Sequence, residues 1–154
     1  MSEVALRLKC SVEADVSPDF AWRFRTDISN WDDPPAKFVI HGPFEAGSYG
    51  TTELPGQAPL EWQITQVSPG KSFVVDMQLD NATLTFEWQF DELSRRKTKL
   101  TQTILLSGEN GAAYVTQVEA GLGSNLEPGM SRIAADMAAA AERQSNLKQD
   151  GVSR

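Results

Sequence analysis

Few side chains in this chain are of types suited to acid–base or nucleophilic chemistry. Its 154 residues hold one histidine, His41, and one cysteine, Cys10. His41 falls at the end of a short β-pattern, where an exposed imidazole is expected rather than an oriented base. Cys10 belongs to the alternation Leu6, Leu8, Cys10, Val12 and reads as a buried thiol, with no base or cation beside it in sequence to activate it. One His and one Cys cannot build a zinc site. Residues 27–33 carry acids at intervals that suggest a calcium loop, but without its glycine and closing glutamate. No glycine-rich phosphate loop, nucleophile elbow or Ser-His-Asp set occurs. We therefore expect no metal and no cofactor, and assign no catalytic residue.

What the chain offers instead is a regular apolar face with a few hydrogen-bond donors in it. Leu84, Phe86, Trp88 and Phe90 alternate strictly with polar residues, and a period of two places them on one side of a strand. Leu60, Trp62 and Ile64 repeat the pattern, as do Phe73, Val75, Met77 and Leu79, then Gln102, Ile104 and Leu106. Met130, Ile133 and Met137 recur at helical spacing and would face them. The candidate ligand-contacting set is Trp62, Ile64, Phe73, Val75, Met77, Leu84, Phe86, Trp88, Gln102, Ile104, Met130, Ile133 and Met137. Taken singly, each is more often a core residue. Together they suit a bent, mostly apolar molecule, with Trp62, Trp88 and Gln102 able to donate to a carbonyl or hydroxyl. By this reckoning the inward set holds no Asp, Glu, Lys, Arg, His, Cys or Tyr, while Glu61, Asp76, Glu87 and Asp91 face the other way. A general acid or base must lie within ~3 Å of the proton it moves, so the sheet face argues for binding over catalysis.

The elements that must position these residues are marked by punctuation. A first strand over 6–13 is followed by Ser17-Pro18-Asp19, which supplies an N-cap, a proline for the first turn and an acid at the positive helix end. The helix, over 18–26, should bury Ala21 and Trp22 with Phe24 or the stem of Arg25. Residues 27–31 suggest a one-turn helix stopped by Pro34-Pro35, with Trp31, Asp32 and Asp33 placed to border a cavity mouth. Strands are expected over 37–41, 48–54, 60–67, 72–79, 82–93 and 98–106, joined by short turns and hence antiparallel. Helical signal begins near Ala112, weakens at Gly121-Leu122-Gly123 and restarts near Leu126, with Pro128 in its first turn and Asp136, Glu142 and Arg143 mostly outward. The small alanines of that last helix allow either a tightly apposed core or a cavity beneath it, and over so broad an aromatic face they favour the cavity.

Apolar residues make up 40% of the chain and charged residues 23%, the balance of one globular domain spanning residues 1–154. A net charge of −7 repels phosphate backbones and anionic lipid surfaces, so nucleic acid is not an expected partner. No run reaches the ~20 apolar residues of a membrane span, so no stable membrane insertion is expected. The first residues do not form a signal peptide, so a cytoplasmic protein is expected; a monomer or homodimer is expected as well.

The order of strand, two short helices, six-strand meander and long C-terminal helix resembles the START/Bet v 1-like (SRPBCC) superfamily. Local signatures resemble its polyketide cyclase/dehydrase-like branch. They are Ser17 to Trp22 with Thr26 to Trp31, Gly42 to Gly50, Ile64 to Phe73, Ala82 to Phe86 and Leu106-Ser107-Gly108. The resemblance implies an α+β helix-grip fold: a curved antiparallel sheet of about seven strands wrapped around a long C-terminal helix. It also implies an apolar small molecule, lipid-, polyketide- or aromatic-like, held between sheet and helix, or alternatively cyclase or dehydratase activity on a cyclic or aromatic substrate. Many similar sequences carry a histidine where Trp88 stands, so an inherited acid–base role is not implied here.

Overall fold

The period-two segments pair into one seven-stranded antiparallel sheet. In the computed structural model, residues 4–31 and 33–152 are described, the side chains as far as residue 146. The strands are β1 (Val4–Ala14), β2 (Lys37–His41), β3 (Tyr49–Glu53), β4 (Leu60–Ser68), β5 (Ser72–Leu79), β6 (Ala82–Ser94) and β7 (Lys97–Ser107). Their order across the sheet is β1-β7-β6-β5-β4-β3-β2, so the meander closes back onto the first strand. Between β1 and β2 lie helix α1 (Pro18–Arg25) and a 3-10 turn (Ile28–Asn30). Ser17 caps α1 by accepting from the Phe20 N–H at 3.1 Å, and Asp27 caps the 3-10 turn by accepting from Ser29.

Register carries the apolar face across the sheet. Cys10 pairs with Gln102, Gln102 with Trp88, and Trp88 with Phe73, so these four side chains stand on one face in a row. On β4 the alternation slips. Ile64 pairs with Val75, yet Val67 pairs with Phe73, because a bulge falls between Ile64 and Gln66. Such a bulge re-aims the strand and bends the sheet. At the β5–β6 turn, Gly108 passes so close that a Cβ would lie 2.8 Å from the Ala82 Cα, and its φ of +106° suits glycine alone.

After β7 the chain winds through a 3-10 turn (Gly111–Tyr114), α2 (Val115–Val118), a π-turn (Glu119–Gly123) and the 29-residue α3 (Ser124–Val152). The expected interruption at Gly121-Leu122-Gly123 does not break the helix. A wider i→i+5 turn keeps the backbone bonded through the glycines, and the chain runs on directly into α3. Pro128 is the fifth residue of α3, where it withholds a donor from the preceding turn.

This is the helix-grip arrangement: a curved sheet with a long helix across its concave face. At the alanine-rich part of α3, Ala134 and Met137 sit in one buried cluster with Ala14, Val16, Ala21, Phe90 and Leu100. A second cluster gathers Ala82, Leu84, Ile104, Leu106 and Val118 beneath the α2 region. Among the described residues, no helix is long and apolar enough to cross a membrane.

Candidate functional site

Between the middle of the sheet and the first part of α3 lies a pocket of about 530 Å³. Thr52, Trp62, Phe73, Val75, Met77, Phe86, Trp88, Gln102 and Ile104 form its sheet wall. Gly121, Leu122, Asn125, Leu126, Pro128, Gly129, Met130 and Ile133 form its roof. Asn30, Trp31, Asp33, Arg132 and Asp136 also border it, with Phe24 and Arg25 from the end of α1.

Local geometry explains the aromatic wall. Trp62 lies flat over Gly50, its cross-strand partner, where any Cβ would collide with the indole. Its Nε1–H donates to the Thr52 hydroxyl at 3.2 Å, so this indole is already satisfied. Trp31 packs against Trp62 with ring centroids 5.5 Å apart and meets Phe38 and Phe44 edge-on. The Trp31 Nε1–H donates to the Arg25 carbonyl at 2.7 Å, which ties the loop to the end of α1. Phe73 and Trp88 stack at 6.3 Å further along the wall. Trp88 and Gln102 make no side-chain hydrogen bond among the described residues, leaving their donors for an occupant.

The feature that strand periodicity did not show is Arg25. Its guanidinium carbon lies 4.4 Å from the Trp88 ring centre and 4.8 Å from that of Trp31, so the cation is held between two indole faces. Its Nε is sealed from solvent without a hydrogen-bond partner. Among the described residues no carboxylate pairs with it. Desolvation lowers its pKa to about 9, which still leaves a cation at neutral pH. The strands supply no charge to the pocket, as their alternation implies, but the last residue of α1 does. That signal was faint, since an arginine closing a short helix is ordinarily solvated at the negative end of the dipole.

Ten of the residues singled out from the sequence border this pocket: Trp62, Phe73, Val75, Met77, Phe86, Trp88, Gln102, Ile104, Met130 and Ile133. Ile64, Leu84 and Met137 do not. Ile64 and Met137 are fully buried in the packed core, and Leu84 lies in the cluster with Val118. Asp136, read as outward, is exposed but borders the pocket. Trp31 and Asp33 stand at the pocket as expected, and Arg132 approaches Asp33 at 3.9 Å across its rim. Asp32 lies outside the described residues. His41 is exposed at the end of β2. Cys10 is half-buried, and desolvation followed by the Glu127 charge pushes its thiol pKa up, which disfavours the reactive thiolate. Among the described residues no group of three or more His, Cys, Asp and Glu could hold a metal ion.

No family model matches the chain, and no curated protein matches it in sequence. Solved structures do match in three dimensions. A norcoclaurine synthase point mutant from Thalictrum flavum, in complex with a transition state analogue, superposes with a TM-score of 0.70 at 12% identity. That match covers 92% of this chain and 98% of the other. The Zhui aromatase/cyclase from a Streptomyces species gives a TM-score of 0.66 at 14% identity, covering 89% and 94%. Ara h 8.0201 gives 0.68 at 11% identity, covering 89% and 99%. The chain shares the α+β helix-grip fold of these structures.

Proposed function

We propose that this chain, acting as one domain, binds an apolar small molecule of lipid-, polyketide- or aromatic-like character between the sheet and α3. The observation that carries the reading is the pocket itself. Its volume of about 530 Å³ suits a small organic molecule, and its wall is built largely of aromatic and aliphatic side chains. Trp88 and Gln102 leave donors for one or two polar atoms on an otherwise greasy ligand. The shared fold with a synthase and an aromatase/cyclase supports a small-molecule ligand and goes no further than that.

Three of the four tryptophans, Trp31, Trp62 and Trp88, border the pocket, so an occupant should change indole emission. Titration with a panel of fatty acids, flavonoids and polycyclic aromatics should give saturable emission changes. Native mass spectrometry of protein from its own host should show a co-purifying adduct. A flat titration across the panel together with adduct-free protein would overturn the reading.

A second reading, a cyclase or dehydratase acting on a cyclic or aromatic substrate, gains support from Arg25. A desolvated cation facing a pocket can stabilise an enolate-like charge as it develops. Asp33 and Asp136 at the rim are the acidic groups available to move a proton. Turnover of a bound polyketide mimic, lost on replacing Asp136 with Asn, would favour this reading over simple binding.

A further inference from the structure

A guanidinium placed between two indoles could serve as a packing plank, but its polar edge is then the difficulty. Arg25 carries five N–H donors on a charged group. Burial without acceptors costs more for such a group than for any other polar one. An arginine buried for structure is ordinarily paired with a carboxylate or other acceptors. Arg25 is half-buried: its Nε is sealed without a partner, its terminal nitrogens are not, and no ion pair to it exists among the described residues. Of the described acids at the pocket, Asp33 faces Arg132 at 3.9 Å, and both Asp33 and Asp136 are exposed.

The two indoles hold the cation by ring contacts that take up none of its N–H donors. Trp31 and Trp88 each present a ring to the guanidinium carbon, at 4.8 and 4.4 Å from their centres, and a ring face accepts no in-plane N–H hydrogen bond. Trp31 is itself tied to the Arg25 backbone, which makes the clamp short-range and rigid. The residue borders the pocket, and the Gln102 amide stands beside Trp88 on the same wall. The result is a preorganised cation in a greasy chamber, with a neutral amide alongside to take a second oxygen.

We propose that the occupant of this pocket is an apolar acid, whose carboxylate is received by Arg25 between Trp31 and Trp88 while its body lies along the aromatic wall. The proposal rests on the apolar-ligand reading above and narrows it to a chemical class. A carboxylate matches a guanidinium edge with two parallel hydrogen bonds, which no ester, amide or alcohol can reproduce. Desolvation of the cation makes that pairing stronger than it would be in water.

The test uses matched acid and primary-amide pairs: dodecanoic, naphthalene-2-carboxylic and pyrenebutanoic. Affinities are measured by tryptophan emission and calorimetry at pH 7.5. The wild-type protein should bind at least one acid about tenfold or more tighter than its amide. In Arg25→Met, which keeps the stacked length but not the charge, that ratio should collapse towards one. Arg25→Lys should retain part of it, because it keeps the charge without the planar fork. Equal affinity of acid and amide in the wild-type protein would overturn the acid proposal and leave the apolar-ligand reading intact. So would an acid preference that survives in Arg25→Met. Failure of every acid and every amide to bind would overturn both. Should Arg25→Met not fold by circular dichroism, the wild-type ratio and Arg25→Lys still decide the matter.

Discussion

The two ends of the space under α3 are built from the same sheet and the same helix, yet one is filled and the other is open. At the filled end, Ala134 and Met137 meet Phe90, Leu100, Ala14 and Ala21 with almost no exposed surface. At the open end, Gly121, Pro128 and Gly129 stand over Trp88, Gln102 and Ile104, and a pocket of about 530 Å³ remains. The alanines, small as they are, do not supply the empty space; they do the opposite. A methyl side chain lets α3 approach β1 and α1 closely enough to leave no gap. The pocket forms where glycine and proline sit on the roof and a π-turn widens the helix, so that the large aromatics of the sheet meet nothing of equal size. Room for a ligand depends on how close the backbones come, as well as on how small the side chains are.

Substitutions at the two ends should therefore behave differently. The largest effect is expected at the filled end. Leu100→Ala removes a side chain with no exposed surface and should cost about 2–5 kcal/mol in urea denaturation. It should leave the emission response to an apolar ligand unchanged once the protein is folded, because Leu100 does not border the pocket. A loss of less than about 1 kcal/mol would mean that this end is not closely packed. Next comes overpacking. Ala134→Leu should destabilise by about 1–3 kcal/mol, since its additional carbons have no space to enter. Gly50→Ala should cost a similar amount, about 1–3 kcal/mol, by driving the Trp62 ring off β3 and into the pocket, which should also weaken ligand binding. The smallest change has the opposite sign. A Cβ at Gly129 meets nothing within 4 Å, so Gly129→Ala should raise stability by about 0.5–1 kcal/mol through helix propensity. Destabilisation by Gly129→Ala alongside tolerance of Ala134→Leu would reverse the assignment of the two ends.

Much of this was legible in the chain because local rules are strong in short-turn antiparallel folds. The expected ranges 37–41 and 72–79 coincide with β2 and β5, and the remaining strands differ by a residue or two at their ends. Ser17-Pro18-Asp19 opens α1 as its chemistry requires. Trp62, Trp88 and Gln102 stand at the pocket because period-two alternation fixes facing wherever pairing stays in register. The bulge after Ile64 was not legible, since one extra residue leaves no compositional mark. Nor was the continuity of the helix through Gly121-Leu122-Gly123, where a π-turn absorbed residues that read as a break.

Sequence by itself determined the seven strands, the helix that covers them, and an aromatic face large enough to wall a cavity, because each follows from periodicity and turn chemistry within a few residues. Tertiary structure alone decided which part of that face is covered and which is left open, because that depends on backbone approach between segments far apart in the chain. It also decided the charge of the pocket. Arg25 ends a helix whose pattern says only that basic residues stand in its last turn. The packing of α1 beside Trp88, with Trp31 folded back over it, turns that arginine from a surface cation into one held between two indoles.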